Sequence, residues 1–167
     1  DDALLDTYGH ERLPHVRAFI ELAVQLGNII QTTDPEAARA RDARFRAGQP
    51  EIFHYPTPSL GPGLWRGPAP PVAQVFPQPT LSNGLGLDSA LGLGFGVIAR
   101  ADLLTQVPDH LRQAWQAGAC PVLDDQHPEL AAWLQAQQVS AVVLRPDRYV
   151  LGVAQNAAEL CALMDLL

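Results

Sequence analysis

Apolar positions follow two different periods along this 167-residue chain. Through residues 1–48 the period is helical. From Arg17 onward, Ile20, Ala23, Val24, Gly27 and Ile30 mark one stripe, and Leu22, Leu26 and Ile29 mark a second. A helix apolar on two faces calls for partners on two sides, more than this chain is expected to supply. The opening "DDALLDTYGHE" is already helical in pattern and lacks an initiator methionine, so the chain reads as a piece of something longer. A second helix is predicted in "TTDPEAARARDARFR". Asp34 suits its N-cap, and Pro35 suits the first turn, where a missing N–H costs nothing. Its arginines alternate with small residues, which predicts an exposed helix.

Residues 49–80 carry nine of the 15 prolines. Proline fixes φ and removes a ladder donor, so neither a long helix nor a central strand is expected. The segment reads as an irregular connector more than as a proline-rich ligand for a recognition domain. Its large apolar residues Phe53, Tyr55, Leu64, Trp65 and Phe76 predict packing over a surface.

Residues 81–167 alternate between short apolar runs and helical patterns. "FGVIA" (95–99) reads as a buried strand and "VPDHLRQAWQAG" as a helix with Leu111, Ala114, Trp115 and Gly118 on one face. "CPVL" (120–123) is a short strand. "HPELAAWLQAQQ" is a helix carrying Leu130, Trp133 and Leu134, with Asp124 or Asp125 as its cap. "AVVLR" and "YVLGVA" are strands. "NAAELCALMDLL" is a helix with Asn156 and Glu159 in capping-box positions and Leu160, Leu163, Met164 and Leu167 on one face. The expected class is α/β, in the order β-α-β-α-β-β-α. Two crossovers predict parallel strands, and the break at Arg145-Pro146-Asp147-Arg148 predicts an antiparallel hairpin. This is a thioredoxin-like order. In the turn, Pro146 suits position i+1 and Asp147 position i+2, with both arginines directed to solvent or a neighbouring surface.

Composition narrows the chemistry. The net charge is −7, and all 11 basic residues are arginine. No basic patch builds up for nucleic acid. The absence of lysine excludes a Walker-type phosphate loop and Schiff-base catalysis, since both need an amine. No apolar run approaches the ~20 residues of a membrane helix, and no signal peptide is evident. Cys120 and Cys161 form neither CxxC nor a metal pattern, and a reduced, cytoplasmic setting is the expectation. Thioredoxin chemistry needs a thiol where the first helix begins. That place reads "RADLLTQVPDHL", and no proline precedes "AVVL" in the position of a cis-proline. Redox function is therefore expected to be lost, with both cysteines acting as small buried residues.

"NGLGLDSALGLGFG" fails as a dinucleotide loop. Ser89 and Val97 stand where the third glycine belongs, and the stretch precedes the first good strand. The five histidines lack metal spacing, and "DDQH" (124–127) is explained by helix capping. No catalytic, cofactor or metal residue is assigned.

"LLDTYGHERLP" then leads into the long helix. With Leu4, Leu5, Asp6, Tyr8, Glu11, Arg12 and Pro14 it resembles the "LLDxYxxERxP" signature of flavin-dependent aromatic hydroxylases, the class A monooxygenases, of the 3-(3-hydroxyphenyl)propionate hydroxylase kind. "VFPQPTL", "LDSALGLGF" and "LRPDRYVLG", the last holding Pro146 and Asp147, are similar to that family's thioredoxin-like C-terminal domain. The resemblance implies a parent enzyme that hydroxylates a phenolic ring with FAD, NAD(P)H and O₂. It also implies three parts here: residues 1–48 as the end of the FAD domain, 49–80 as a connector and 81–167 as the thioredoxin-like domain. The family's GxGxxG, DG and GD motifs are absent, so no cofactor is expected on this chain alone. The expected role is structural and assembly-related, with the rest of the parent as partner and self-association through the Phe19–Ile30 helix. A free-standing, redox-inactive thioredoxin-like binding module is the alternative.

Overall fold

A computed structural model describes residues 2–48 and 57–167. Phe53, Tyr55 and the other residues of 49–56 lie outside the described residues. The chain divides into two compact units, Asp1–Gly61 and Pro62–Leu167.

The first unit is built on helix α1 (Asp2–Ile30) and helix α2 (Pro35–Arg46). Pro14 lies inside α1. Proline cannot donate to the carbonyl four residues back, that of His10. The backbone of Gly61 lies against this turn, and its N–H donates to Glu11 O at 2.8 Å. A Cβ at Gly61 would run into the His10 carbonyl oxygen and come within 2.9 Å of Pro14 Cγ, so only glycine fits. Glu11 and Leu60 are buried here. The α2 N-cap is as predicted: Asp34 accepts from Glu36 N–H at 3.0 Å, Pro35 opens the helix, and none of its residues is buried.

The second unit holds a four-stranded sheet in the order β2-β1-β3-β4. Its strands are β1 (Gly96–Ala99), β2 (Val122–Asp124), β3 (Ala141–Leu144) and β4 (Val150–Ala154). Short helices α3 (Leu87–Leu91) and α4 (Ala101–Leu104) flank β1, α5 (Asp109–Ala117) leads to β2, α6 (Pro128–Gln137) leads to β3, and α7 (Ala157–Met164) follows β4. The α/β class and the main β-α-β-α-β-β-α order match the expectation. Helices α3 and α4 were not anticipated, being too short to show a helical period.

The strand directions need one correction. β1 and β2 are parallel, but β3 runs antiparallel to both β1 and β4. Ala99 pairs with Asp124 on one side and with Ala141 on the other. The end of β2 and the start of β3 therefore lie at the same end of the sheet. Helix α6 returns the chain to the end it left, so this connection is not a crossover between parallel strands. The expected strand at 120–123 is shifted to Val122–Asp124, because Pro121 has no N–H to give a ladder.

Val97, Ala99, Ala141, Val143 and Leu151 face a core filled by Trp115 of α5 and by Leu160, Leu163 and Met164 of α7. Ile98, Val142 and Leu144 alternate to the other face and are fully buried, as are Phe76 and Leu130. Phe76 lies 4.5 Å from Trp133 of α6, centroid to centroid. Within the proline-rich segment Val72, Ala73 and Phe76 are buried against the sheet unit, as predicted for Phe76, whereas Leu64 is exposed. Ala73 N–H donates to Val150 O, Val150 N–H to Gln74 O and Phe76 N–H to Arg148 O, at 3.0, 2.9 and 2.8 Å. An irregular segment thus covers the outer edge of β4, which would otherwise offer open ladder groups.

Candidate functional site

The hairpin between β3 and β4 is the most highly connected feature of the second unit. Arg148 N–H donates to Arg145 O at 2.9 Å, which places Pro146 at i+1 and Asp147 at i+2 as predicted. Arg145 N–H donates to Tyr149 O at 2.9 Å, and Arg148 has φ +65°. This is a three-residue loop, a tight turn followed by one left-handed residue, a position that favours glycine.

Arg148 corrects the expectation that both arginines face outward. It is 7% exposed and turned into the fold. Its Nε donates to Asp88 Oδ1 at 2.6 Å, its Nη1 to Gly94 O at 3.2 Å, and its Nη2 to Gly92 O. The left-handed backbone costs on the order of 1 kcal/mol, and these charge-assisted bonds offset it. With Phe76 N–H on its carbonyl, Arg148 joins "VFPQPTL", "LDSALGLGF" and "LRPDRYVLG" at one residue. Sequence reasoning missed this. The only available signal was that Asp88 and Arg148 both lie in the stretches carrying the resemblance.

Arg145 stays near the surface. It grips Asp147 with two bonds, Nε to Oδ1 at 3.2 Å and Nη2 to Oδ2 at 3.0 Å. Such a pair, partly solvated, contributes roughly 0–1 kcal/mol.

The N-terminal motif residues share α1 but not one environment. Glu11 is buried, Arg12 half-buried, and Tyr8 and Pro14 exposed. The glycine stretch is a set of turns. Gly84 and Gly92 have positive φ, and Gly86 caps the five-residue α3. Gly92 and Gly94 turn carbonyls, not N–H groups, toward Arg148. That lining does not suit a pyrophosphate, and these residues do not fit a flavin or nicotinamide site.

"DDQH" caps helices, though not as expected. Asp125 Oδ1 accepts from Ala101 N–H at 2.9 Å and so closes the start of α4. Asp124 Oδ1 accepts from Gln126 N–H at 3.1 Å. The N-cap of α6 is His127, which makes no side-chain cap bond; its Nδ1 lies 2.8 Å from Ser82 Oγ. The Asp125 carboxylate was closer to another helix in space than to its own in sequence. Among the described residues, no three His, Cys, Asp or Glu side chains gather as a metal site. Cys120 and Cys161 are both free thiols. Burial pushes the Cys120 thiol up to about 11, and burial followed by the charge of Asp165 raises that of Cys161. A raised pKa is the opposite of what a nucleophilic thiol needs.

Comparison with known proteins shows what the chain is similar to. Residues 104–166 match the HcaD C-terminal domain family. A probable NADH-specific resorcinol 4-hydroxylase of Rhodococcus jostii is 32% identical over 97% of this chain and 34% of its own length. A 3-(3-hydroxy-phenyl)propionate/3-hydroxycinnamic acid hydroxylase of Mycolicibacterium smegmatis is 31% identical over 95% of this chain and 36% of its own. A similarly named protein of Escherichia coli is 33% identical over 92% and 35%. The chain thus spans about a third of the length of the curated relatives it matches. Among solved structures, RebC-10x soaked with chromopyrrolic acid, with bound 7-carboxy-K252c, aligns over 97% of this chain and 35% of its own with a TM-score of 0.60. At 20% identity this is a likeness of fold. On these matches the chain is similar to the C-terminal third of the 3-(3-hydroxyphenyl)propionate hydroxylase-like aromatic hydroxylases.

Proposed function

We propose that this chain is the C-terminal structural and assembly region of an FAD- and NAD(P)H-dependent monooxygenase of phenolic rings, working in the cytoplasm and not catalytic by itself. Residues 1–48 would close the FAD domain, 49–80 would connect, and 81–167 would form a thioredoxin-like domain without its thiol pair. The body of the enzyme would supply the flavin, the nicotinamide site and the ring pocket.

One observation carries this reading. Helix α1 leaves Leu5, Leu13, Phe19, Ile20, Val24 and Ile30 exposed along its length. Scattered exposed leucines are ordinary, but a continuous apolar helix face asks for a partner. The partner in the complete enzyme would be the catalytic body. In its absence the same face, Phe19 to Ile30, would pair with another copy. No helix among the described residues is long and apolar enough to cross a membrane.

Light scattering and flavin titration of the purified chain test this. Self-association that is lost in Phe19→Ser/Val24→Ser, with no flavin retained, supports the reading. A yellow preparation, or a monomer at every concentration, overturns it. Deleting residues 1–48 separates it from the free-standing module: a large loss of stability in the second unit would favour the latter.

A further inference from the structure

We infer that Asn83 is a site of spontaneous covalent modification, losing its side-chain amide to attack by the Gly84 backbone nitrogen at a rate set by the loop that holds both. This inference goes beyond the assembly role and does not depend on it.

The chain has three asparagines, and only Asn83 is followed by glycine. Asparagine is among the thermolabile residues, and a following glycine offers the least hindered nitrogen. Asn83 and Gly84 are both exposed. No heavy atom lies within 4 Å of where a Cβ on Gly84 would stand. Leu85 N–H donates to Asn83 Oδ1 at 3.0 Å. That bond draws electrons from the amide carbon and stabilises the oxyanion that attack creates. The other two asparagines are held. Asn28 lies inside α1, before the β-branched Ile29. Asn156 is tied to Glu159 through both side-chain atoms, its Oδ1 accepting from the N–H at 3.0 Å and its Nδ2 donating to Oε1 at 2.8 Å.

Water is the only co-reactant. The Gly84 nitrogen bonds to Asn83 Cγ, ammonia leaves with the proton of that nitrogen, and a succinimide ring forms. Water then opens the ring at either carbonyl, leaving aspartate or isoaspartate at this position. The loop opposes the first step. Gly84 N–H donates to Leu81 O at 2.8 Å, and Leu81 N–H to Leu85 O at 2.7 Å. The nucleophile must leave Leu81 O before it can attack.

This is the same three-residue loop as Arg145–Tyr149, with Gly84 (φ +81°) in the left-handed place of Arg148. Asp147 stands there where Asn83 stands here, and its Oδ1 accepts from Tyr149 N–H at 3.4 Å. Aspartate therefore keeps the loop. Isoaspartate adds a backbone carbon and breaks the Leu81–Leu85 pairing, between the buried Leu81 and Leu87.

Incubation of the 167-residue chain in mildly alkaline buffer, then cleavage after arginine, tests this, because residues 18–39, 67–100 and 149–167 each carry one asparagine. Amide loss is expected first in 67–100, with fragment ions placing it on Asn83. It should be at least about fivefold faster in urea than in the folded chain, the worth of roughly one hydrogen bond. Gly84→Ala, compared in urea so that its folding does not matter, should slow the loss severalfold. Asn83→Asp should melt with the unaltered chain, and the isoaspartate fraction below it. Amide loss as fast at Asn28 or Asn156 overturns the proposal without relying on any variant. So do equal rates in urea and in the folded chain, no slowing in Gly84→Ala, or an Asn83→Asp chain that melts as low as the isoaspartate fraction.

Discussion

The guanidinium of Arg148 lies 2.6 Å from the carboxylate of Asp88, across 60 residues of sequence. Arg148 occupies the left-handed place of the hairpin loop, and its side chain holds the turn after α3 by the Gly92 and Gly94 carbonyls. One residue thus couples a turn, a loop and, through Phe76 N–H, the covered edge of the sheet.

Two substitutions at Arg148 separate backbone from side chain. Arg148→Ala removes the clamp while keeping an unfavourable φ, and should cost about 2–3 kcal/mol. Arg148→Gly removes the same bonds but relieves the backbone, so it should be about 1 kcal/mol more stable than the alanine variant. Urea denaturation of both variants measures this. The reverse order would mean that the strain at this position is not relieved by glycine.

Phe76 tests whether the proline-rich segment is part of the second unit. Its side chain is fully buried against Trp133. Phe76→Ala should destabilise the sheet unit by about 3–5 kcal/mol. A free linker would lose almost nothing, and thermal melting distinguishes the two.

Gly61 tests the N-terminal motif. A methyl group there meets the His10 carbonyl and Pro14 Cγ. Gly61→Ala should therefore push the segment off α1 and destabilise the first unit by about 1–3 kcal/mol. Hydrogen exchange at Gly61 N–H, which bonds Glu11 O, should rise in a milder Pro14→Ala variant only if that turn moves.

Cys120 makes stability fall at high pH. Its thiol is raised from the ordinary 9.0 to about 11 by burial. A group with a raised folded pKa contributes fully below its unfolded value and loses that contribution as pH rises through the folded value. Stability should thus decline between pH 9 and about 11, and less so in Cys120→Ala. Alkylation at neutral pH should label Cys161, which is half-buried, before Cys120.

The capping of α7 shows how much local chemistry alone predicts. Asn156 Oδ1 accepts from Glu159 N–H at 3.0 Å, and Glu159 Oε2 accepts from Gln155 N–H at 2.8 Å, so the capping box forms with the return bond one residue earlier. Asn156→Ala should cost about 1 kcal/mol, readable in the same melts.

The sequence by itself determined the elements whose causes are local. Period, proline placement and capping residues specified α1, α2, α5, α6, α7, the four short strands and the turn at Pro146-Asp147, because each depends on neighbours within a few positions. Only the tertiary structure decided the direction of β3, the strand order, the helix that Asp125 caps and the inward turn of Arg148. Those depend on which groups meet across the sheet. A carboxylate or guanidinium bonds the nearest available partner in space, and nothing in the spacing of Asp88 and Arg148 along the chain encodes that they meet.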